Sequence, residues 1–523
     1  MPQIKDILGR IPGLPELYDA VQKQPPRTRF NLFQLEKFIA EQLPALNAIP
    51  AEPGKQRHIL LFATLHYWIE QAAVIGSVLN KLGYQVTVAY LPYSSWDKPI
   101  NTFDLKRQNN YARRVLAKFD GTFRSVSLMD QKPVRELPAD FASKVELASA
   151  YDTMYTLQVE NFSKNSALYQ LRLERNGMAA RQAFGLFGRI NPDIVLIPNG
   201  LVTELGVFLH VTNHLGKKAV TYEFNDQREQ IWLSHNDVVM NQNTDELWAL
   251  TKDTKLTETQ VQQISEFENA RSSGKKYGKG TRFWQDVASV GGQAQRKALG
   301  LDGRPVVLLA TNVLGDSLTL GRNLFTESMA EWIAKTVLYY SNHPNAQLIV
   351  RIHPGERLMK GPSSMDVIKQ TLASIPENIK IIGPLEKVNT YDLMEIADLG
   401  LVYTTTVGLE MAMRGVPVIV AGKTHYRGKG FTQDPANYEE NFSLTDAILA
   451  DVKAHKLTDA QIETAWNYAY RFFFEFPRPF PWRLMKFWED LQEWPVQRVL
   501  SAEGQAEFGK TFHALAGDPI DWQ

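Results

Sequence analysis

Short apolar runs of strand length alternate with longer amphipathic stretches in two separate blocks of the chain. In the first block, His58–Leu65 is predicted to be a strand, about Ile69–Leu82 a helix and Tyr84–Leu91 a second strand. Two strands that are joined through a helix of this length run parallel. A mostly helical passage, about Phe141–Ile190, follows. The pattern then resumes with a strand, a helix and a strand, at Pro192–Gly200, Glu204–Leu215 and Lys218–Phe224.

The second block repeats the alternation over a longer stretch of chain. Strands that alternate with helices predict a doubly wound, mostly parallel sheet. We therefore expect two Rossmann-like domains that face each other across a cleft, with ligands bound beyond the carboxyl ends of the strands. The predicted strands are Pro305–Val313, Ala346–Arg351, Asn378–Gly383, Leu399–Thr405 and Val416–Gly422, and the predicted helices are Phe325–Tyr340, Tyr391–Ala397 and Val407–Arg414.

Polar and aromatic segments suggest where the domains begin and end. A polar passage from about Thr244 to Leu299 contains the basic loop Ala270–Gly280, and the segment Asp459–Trp494 is helical and strongly aromatic. We expect the aromatic segment to cover apolar surface of the N-terminal domain. The predicted units are a helical extension (1–50), an acceptor domain (51–243), a helical linker (244–299), a nucleotide-sugar domain (300–455) and a helical tail (456–523).

Composition narrows the chemistry that this chain can perform. The 57 lysines and arginines equal the 57 aspartates and glutamates, a balance that disfavours a nucleic-acid-binding protein. There is no cysteine, which excludes disulfides, iron–sulfur clusters, thiolate zinc sites and cysteine nucleophiles. No apolar run approaches the roughly 18 residues of a membrane span. We expect a cytoplasmic protein, and this composition is compatible with peripheral contact with a membrane.

Three consecutive threonines, Thr404–Thr406, separate a predicted strand from a predicted helix. The amides at a helix start carry partial positive charge, and threonine hydroxyls there can donate to phosphate oxygens. The simpler alternative is that a threonine only caps the helix. Gly408 and Glu410 lie within the first turn and a half. A carboxylate at position 410 suits the two hydroxyls of a ribose, or it is a solvated helix residue.

The predicted strand that ends at Arg351 leads into the sequence RIHPGE, Arg351–Glu356. Arginine and histidine at a strand end can bind an anion together, although a single histidine is more often a structural hydrogen-bonding group. Both residues are expected at the same sheet edge as the threonines, because carboxyl ends of parallel strands meet there.

The set RIHP, GP, NTYDLMEIADLGLVYTTTVGLEMAMRGVPVIVAG and GKTHYRGKGFTQDP resembles the capsule polysaccharide biosynthesis family. The resemblance covers Val306–Pro435 well and Asp193–Glu223 loosely. It implies a glycosyltransferase of the GT-B type, and the His-Pro pair is similar to one in bacterial Kdo and sialic-acid transferases. The E-x4-G-x-P-V spacing is shared by many GT-B enzymes and indicates the fold class. Where many relatives have serine, this chain has part of its threonine triplet.

The resemblance implies donor-binding roles for Arg351, His353, Thr404, Thr405, Thr406, Gly408 and Glu410. It also implies that protein groups, without a metal or another cofactor, stabilise the departing nucleotide phosphate. The general base would come from the N-terminal domain, where His66, Glu204 and Glu223 lie at predicted strand ends and are also compatible with structural roles. The polar sequences DQREQ and SHND, at 226–230 and 234–237, are expected to be ordinary loops.

Two other functions remain open at this point. A sugar-nucleotide 2-epimerase has the same two-domain architecture, and it would interconvert a free sugar nucleotide without an acceptor. A catalytically inactive partner of polysaccharide assembly or export would show no donor turnover. The expected ligands are a nucleotide sugar and a glycan acceptor, without nucleic acid. Peripheral association with the inner membrane or the export machinery is compatible with each of these functions.

Overall fold

The structure, a computed structural model, describes residues 4–22, 28–225, 227–278, 287–359, 361–484 and 486–522. Its strands, in chain order, are β1 His58–Thr64, β2 Gln85–Leu91, β3 Arg124–Ser127, β4 Ile194–Pro198, β5 Lys218–Phe224, β6 Gln230–His235, β7 Val306–Ala310, β8 Gln347–Arg351, β9 Ile379–Ile382, β10 Leu399–Val402, β11 Val418–Val420 and β12 Arg478–Pro479.

The helices of the N-terminal part surround the first six strands. They are α1 Ile4–Arg10, α2 Leu14–Gln22, α3 Phe33–Glu41, α4 Leu43–Ala48, α5 His66–Lys81, α6 Thr102–Leu116, α7 Phe141–Leu157, α8 Ala167–Ile190 and α9 Thr203–His214. The later helices are α10 Asp245–Thr251, α11 Glu258–Ser272, α12 Gly292–Ala298, α13 Met329–Ser341, α14 Ser364–Thr371, α15 Thr390–Glu395, α16 Val407–Ala412, α17 Tyr438–Ala450, α18 Asp459–Tyr470, α19 Phe487–Glu493, α20 Val496–Val499 and α21 Ala502–Leu515.

The strands form two sheets, one in each half of the chain. The first has the order β12-β6-β5-β4-β1-β2-β3, and β1 to β5 pair in parallel. The second has the order β11-β10-β7-β8-β9 and is parallel throughout. Buried apolar clusters cover both faces of each sheet. The predicted fold class, two Rossmann-like sheets of parallel strands, is confirmed.

The antiparallel edge of the first sheet differs from the prediction. Strand β6 includes Gln230, Ser234 and His235, which belong to the two polar sequences predicted as loops. Alternate residues of β6 are buried, and β6 pairs with β5 on one side and with the two-residue strand β12 on the other. A strand near a sheet edge needs only one apolar face, so its sequence lacks the continuous apolar run of the central strands.

The basic loop Ala270–Gly280 lies only partly within the described residues. Its first three residues end helix α11, and residues 279 and 280 lie outside the description. Helix α13 begins four residues later than predicted, because the Ser328 hydroxyl accepts a hydrogen bond from the Glu331 amide at 3.0 Å and caps the helix there.

The aromatic segment near the end of the chain connects the two halves. Helix α18 packs into the core of the second sheet, followed by a π-helical turn over 471–475. The chain then adds β12 to the first sheet and places Phe480, Trp482 and α21 in its core. The predicted aromatic tail is therefore present. Its first part, α18 and residues 471–476, packs on the second sheet rather than on the N-terminal domain, where it was expected. Within the described residues, no helix is long and apolar enough to cross a membrane.

Candidate functional site

The end of strand β7 joins the two loops in which the sequence predicted a phosphate site. Strand β7 lies between β8 and β10 in the sheet. The Thr311 hydroxyl oxygen accepts a hydrogen bond from the His353 amide at 3.0 Å, and Asn312 Oδ1 accepts one from the Thr404 amide at 3.2 Å. The His353 loop and the threonine loop therefore lie at the same sheet edge, one strand apart. Thr311 and Asn312 were not among the predicted site residues, although two polar residues directly after a buried strand were a usable signal.

Each of the three threonines has a hydrogen bond within the protein. Thr404 Oγ1 donates to the Leu318 carbonyl at 3.1 Å, and Thr406 Oγ1 donates to Glu410 Oε1 at 3.1 Å. Thr405 Oγ1 instead accepts from the Val407 amide at 3.4 Å. Because a hydroxyl both donates and accepts, this last arrangement leaves the Thr405 O–H able to donate to a ligand.

Gly408 allows close packing beneath this loop. An added Cβ atom would lie 2.4 Å from Tyr426 Oη and 2.8 Å from Val402 Cγ2. The Tyr426 hydroxyl in turn donates to the Thr405 carbonyl at 2.6 Å. Glycine at position 408 therefore lets Tyr426 pack close enough to hold the threonine loop. This packing is sufficient to explain the glycine.

His353 is exposed, and the direction of its hydrogen bond defines its chemistry. Nδ1 accepts from the Gly355 amide at 3.0 Å and caps the short 3₁₀ helix Pro354–Leu358. Since an accepting nitrogen carries no proton, the neutral imidazole carries its proton on Nε2. The ring can therefore present an N–H donor to an anion.

Arg351 is buried and holds the neighbouring loop in place. Its guanidinium donates to the Gly383 carbonyl at 2.8 Å, the Val388 carbonyl at 3.3 Å and Thr390 Oγ1 at 3.4 Å. Burial lowers the pKa of Arg351. Arg351 is two residues before His353, but its N–H groups are used to hold residues 383–390 in place.

Glu410 forms a buried ion pair that the sequence did not reveal. Its Oε1 accepts from Arg271 Nη2 at 2.7 Å, and both side chains are almost fully buried. The Arg271 guanidinium lies 5.2 Å from the ring centroids of Phe267 and Phe473, and its Nε donates to the Tyr391 hydroxyl at 3.2 Å. Arg271 was part of the predicted basic loop, so only the packing of α11 against α15 and α16 shows its partner.

Glu223 is a carboxylate of the first sheet that accepts hydrogen bonds from neutral donors. It is the penultimate residue of β5, is half-buried, and accepts from Asn199 Nδ2 at 2.7 Å and from the Phe224 amide at 3.0 Å. Burial raises the pKa of Glu223, and these two donors only partly offset the effect. Tyr155 is within electrostatic range of both Glu223 and Asp316, a residue that follows β7. Glu223 thus lies on the side of its sheet toward the second domain.

The two other predicted base candidates have different surroundings. Glu204 is fully buried and accepts from Arg172 Nη2 at 2.7 Å, while Arg172 Nε donates to Asp152. His66 begins helix α5 and lies edge-on to the Tyr67 ring at 5.2 Å. Burial lowers the pKa of His66.

Left-handed backbone conformations occur after two strands of the first sheet, β1 and β4. Leu65, Asn199 and Thr203 have φ values of 65°, 58° and 55°, which non-glycine residues rarely adopt. Within the described residues, no group of three or more histidines and carboxylates could hold a metal ion.

The part of the chain that forms the second sheet matches a known protein family. Residues 286–470 match the model of the family described as capsule polysaccharide biosynthesis protein. The family resemblance is confirmed. The match includes β7 to β11, the His353 loop, the threonine loop and Glu410. No curated protein matches the chain at a significant level.

Several solved structures are similar to this chain at low identity. The Thermosulfurimonas dismutans KpsC beta Kdo 2,4 transferase is 17% identical with a TM-score of 0.33, over 53% of this chain and 79% of that chain. The UDP-GlcNAc 2-epimerase from Neisseria meningitidis is 12% identical with a TM-score of 0.25, over 79% of this chain and 98% of that chain. The glycotransferase of kitacinnamycin is 13% identical with a TM-score of 0.27, over 80% and 95%. These values do not distinguish one function from another.

Proposed function

We propose that the protein is a glycosyltransferase that uses a nucleotide-activated sugar to build a capsule-type polysaccharide. The main support for this proposal is that Thr311 and Asn312 connect the His353 loop to the threonine loop by hydrogen bonds. All of these residues lie in the segment that matches the capsule family. This arrangement concentrates hydroxyl, amide and imidazole donors at one sheet edge. Such donors bind the phosphates of a nucleotide and stabilise the charge that develops as it departs.

On the donor side, His353 Nε2–H and the Thr405 hydroxyl are the groups we assign to the phosphates. Glu410 remains our candidate for the ribose. It already accepts hydrogen bonds from Arg271 and Thr406, so its orientation is set before a ligand arrives. Arg351 would act by holding residues 383–390, and Gly408 by allowing the threonine loop to pack on Tyr426. The hydroxyls of Thr404 and Thr406 already donate within the protein, so these two residues would shape the loop that carries Thr405. No step in this scheme requires a metal, because the leaving phosphate is stabilised by protein donors.

On the acceptor side, we assign the general base to Glu223. A base works best when its pKa lies close to the working pH, and burial moves the pKa of Glu223 upward from that of an ordinary glutamate. The Asn199 side-chain amide donates to Oε2 and the Phe224 backbone amide donates to Oε1, so the orientation of the carboxylate is set. Glu204 is less suited, because it is enclosed with Arg172 and Asp152 in a buried triad inside its own domain. His66 remains the second candidate.

The central experiment is a transfer assay with CMP-, UDP- and GDP-sugars, with and without added glycan acceptor. Release of nucleotide that requires an acceptor supports the proposal. Interconversion of the free sugar nucleotide would show an epimerase, and absence of both donor turnover and donor binding would show a non-catalytic partner. Each of the last two results would overturn the proposal.

His353→Ala tests the phosphate site within the same assay. We expect turnover to fall by about 10²–10³, the loss typical of removing one preorganised donor. His343→Ala is the matched control, because His343 lies in the same domain before β8, where it stacks on Tyr339. Equal activities of the two variants would remove His353 from the site.

Chelation tests the metal-free mechanism separately. We expect transfer to persist in excess EDTA, because the assigned phosphate donors are all protein groups. Activity that is lost in EDTA and restored by magnesium or manganese would overturn this part of the proposal while leaving the transferase assignment intact.

A further inference from the structure

Residues 157–160, at the end of helix α7 and in the turn after it, belong to the first half of the chain but contact the second half. We call this segment the clasp. Its Glu160 carboxylate accepts hydrogen bonds from the Met329 amide at 3.0 Å and from the Ala330 amide at 2.7 Å. These are the first two amides of α13, and the first amides of a helix lack acceptors within it. A carboxylate of one domain therefore caps a helix of the other.

Two glycines of the second half allow the clasp to approach closely. An added Cβ atom at Gly315 would lie 2.7 Å from the Val159 amide nitrogen, and one at Gly361 would lie 2.3 Å from the Gln158 carbonyl oxygen. These glycines lie in the segments after β7 and β8, which also form part of the candidate donor site. The clasp thus packs against both of these segments through its backbone.

The covalent connections between the two halves lie on the other face of the second sheet. The chain passes from β6 to α10, and it returns from α18 through residues 471–476 to β12, which pairs with β6. Helices α10 and α18 pack with Val306 and Leu308 of β7, whereas α13 packs with Val307 and Leu309, whose side chains point the opposite way. The connections and the clasp therefore join the two halves at opposite faces of the sheet.

Helix α7 links the clasp to the candidate acceptor site. It carries Asp152, which binds Arg172 in the buried triad with Glu204, and Tyr155, which is within electrostatic range of Glu223. The triad fixes α7 to α8 and α9 inside the first domain. A rotation of the second domain away from α7 would therefore change the distance between Glu223 and the donor site, and a small misplacement of a reacting group lowers the rate strongly.

We propose that Glu160 is a positioning residue: its contact with the start of α13 fixes the orientation of the two sheets and so holds Glu223 opposite the donor site. Glu160 acts through α7 and α13 and is not assigned to the reacting groups. The roles of Glu223 and of the donor site rest on the proposed function, whereas the orientation of the sheets can be measured without turnover.

The orientation is measured as the distance between two spin labels by pulsed electron paramagnetic resonance. The chain has no cysteine, so labels attach only at the introduced Glu174→Cys and Gln370→Cys, which are exposed positions on α8 and α14. We expect one narrow distance distribution in the labelled chain and a broader or longer one when Glu160→Ala is added. Gly361→Ala should have the same effect from the other domain, because its Cβ atom would meet the Gln158 carbonyl.

The matched controls are Glu146→Ala and Gly303→Ala. Glu146 lies on the same helix α7 but forms an exposed pair with Lys164, and an added Cβ atom at Gly303 would meet nothing within 4 Å. Both controls should keep the narrow distribution, and thermal unfolding checks that every variant is folded. Distributions of the two clasp variants that match those of the controls would overturn the proposal.

The transfer assay gives the second measurement. We expect Glu160→Ala and Gly361→Ala to lower the turnover rate by about tenfold to a hundredfold. Nucleotide affinity should stay that of the unmodified chain, because the assigned donor residues all lie in the second half. Full turnover together with a broadened distance distribution would also overturn the proposal. Absence of transfer by the unmodified chain would instead overturn the proposed function, and the distance distributions would still decide whether the clasp fixes the two sheets.

Discussion

The two sheets place a glutamate at equivalent points, in the first turn of a helix that follows a parallel strand. Glu204 follows β4 in the first sheet, and Glu410 follows β10 in the second. Each is buried and bonded at 2.7 Å to a buried arginine. The arginines differ in origin, since Arg172 comes from the same domain and Arg271 from a helix between the two sheets.

This difference shows that position in the fold does not decide the role of a carboxylate. Arg172 also binds Asp152, so Glu204 belongs to a closed triad in the protein interior. Arg271 and Thr406 both donate to Glu410 beside the threonine loop, so Glu410 is held next to the candidate donor site. Glu223 and Glu70 form a contrasting group, because the donors that we identify for them are neutral.

The largest effect should come from opening the Arg172 triad. Arg172→Met leaves two carboxylates without their buried counter-charge and should lower the free energy of unfolding by about 3–5 kcal/mol. Urea unfolding measures the change. Lys164→Met is the control, since Lys164 forms an exposed pair with Glu146 and its loss should leave stability unchanged. An unchanged midpoint for Arg172→Met would show that the triad contributes no net stability.

A somewhat smaller effect is expected in the pH dependence of the unfolding free energy, and it comes from the titration of Glu70. This side chain is 4% exposed and accepts from the Leu35 amide and from Trp488 Nε1, both at 3.3 Å. Burial raises its pKa to about 7. Below the ordinary glutamate pKa the carboxyl is protonated in both the folded and the unfolded chain, so its contribution to stability is complete there. As pH rises toward 7, the unfolded chain loses the proton first, and stability should fall by about 3 kcal/mol.

Glu70→Gln cannot ionise, so its stability should decline less between pH 4.5 and 7 than that of the unmodified chain. The measurement is the slope of the unfolding free energy against pH. Glu70→Gln also removes the acceptor of the Trp488 Nε1–H, but that loss is the same at every pH and does not change the slope. The same slope in both proteins would show that Glu70 titrates normally.

The smallest expected effect distinguishes the two helix-start glutamates by function. Glu410→Ala should weaken nucleotide binding by about 1–3 kcal/mol, the worth of hydrogen bonds to a charged group. Glu204→Ala is the matched variant, and it should lower stability while leaving nucleotide affinity unchanged in the folded protein. Titration with the nucleotide panel measures both. Equal affinities for Glu410→Ala and the unmodified chain would remove Glu410 from the donor site.

Much of the fold was predictable because the central strands are buried on both faces. Continuous apolar runs such as those of β1, β7 and β8 are recognisable from the sequence alone. Strands β3, β6 and β12 were not predicted. They are short or lie at or near a sheet edge, where burial of one face is sufficient and the pattern is weak.

The sequence alone determined the two alternating blocks, the aromatic tail, the family resemblance and the loops that carry His353 and the threonines. Only the tertiary structure decided which groups meet. Thr311 and Asn312 join two loops that are 51 residues apart, counted from His353 to Thr404, because β7 lies between their strands. Arg271 pairs with Glu410, which is 139 residues away in sequence, and Arg172 pairs with Glu204, which is 32 residues away. Periodicity reports whether a residue is buried, but the partner of a buried charge depends on helix packing between distant segments, which no local pattern encodes.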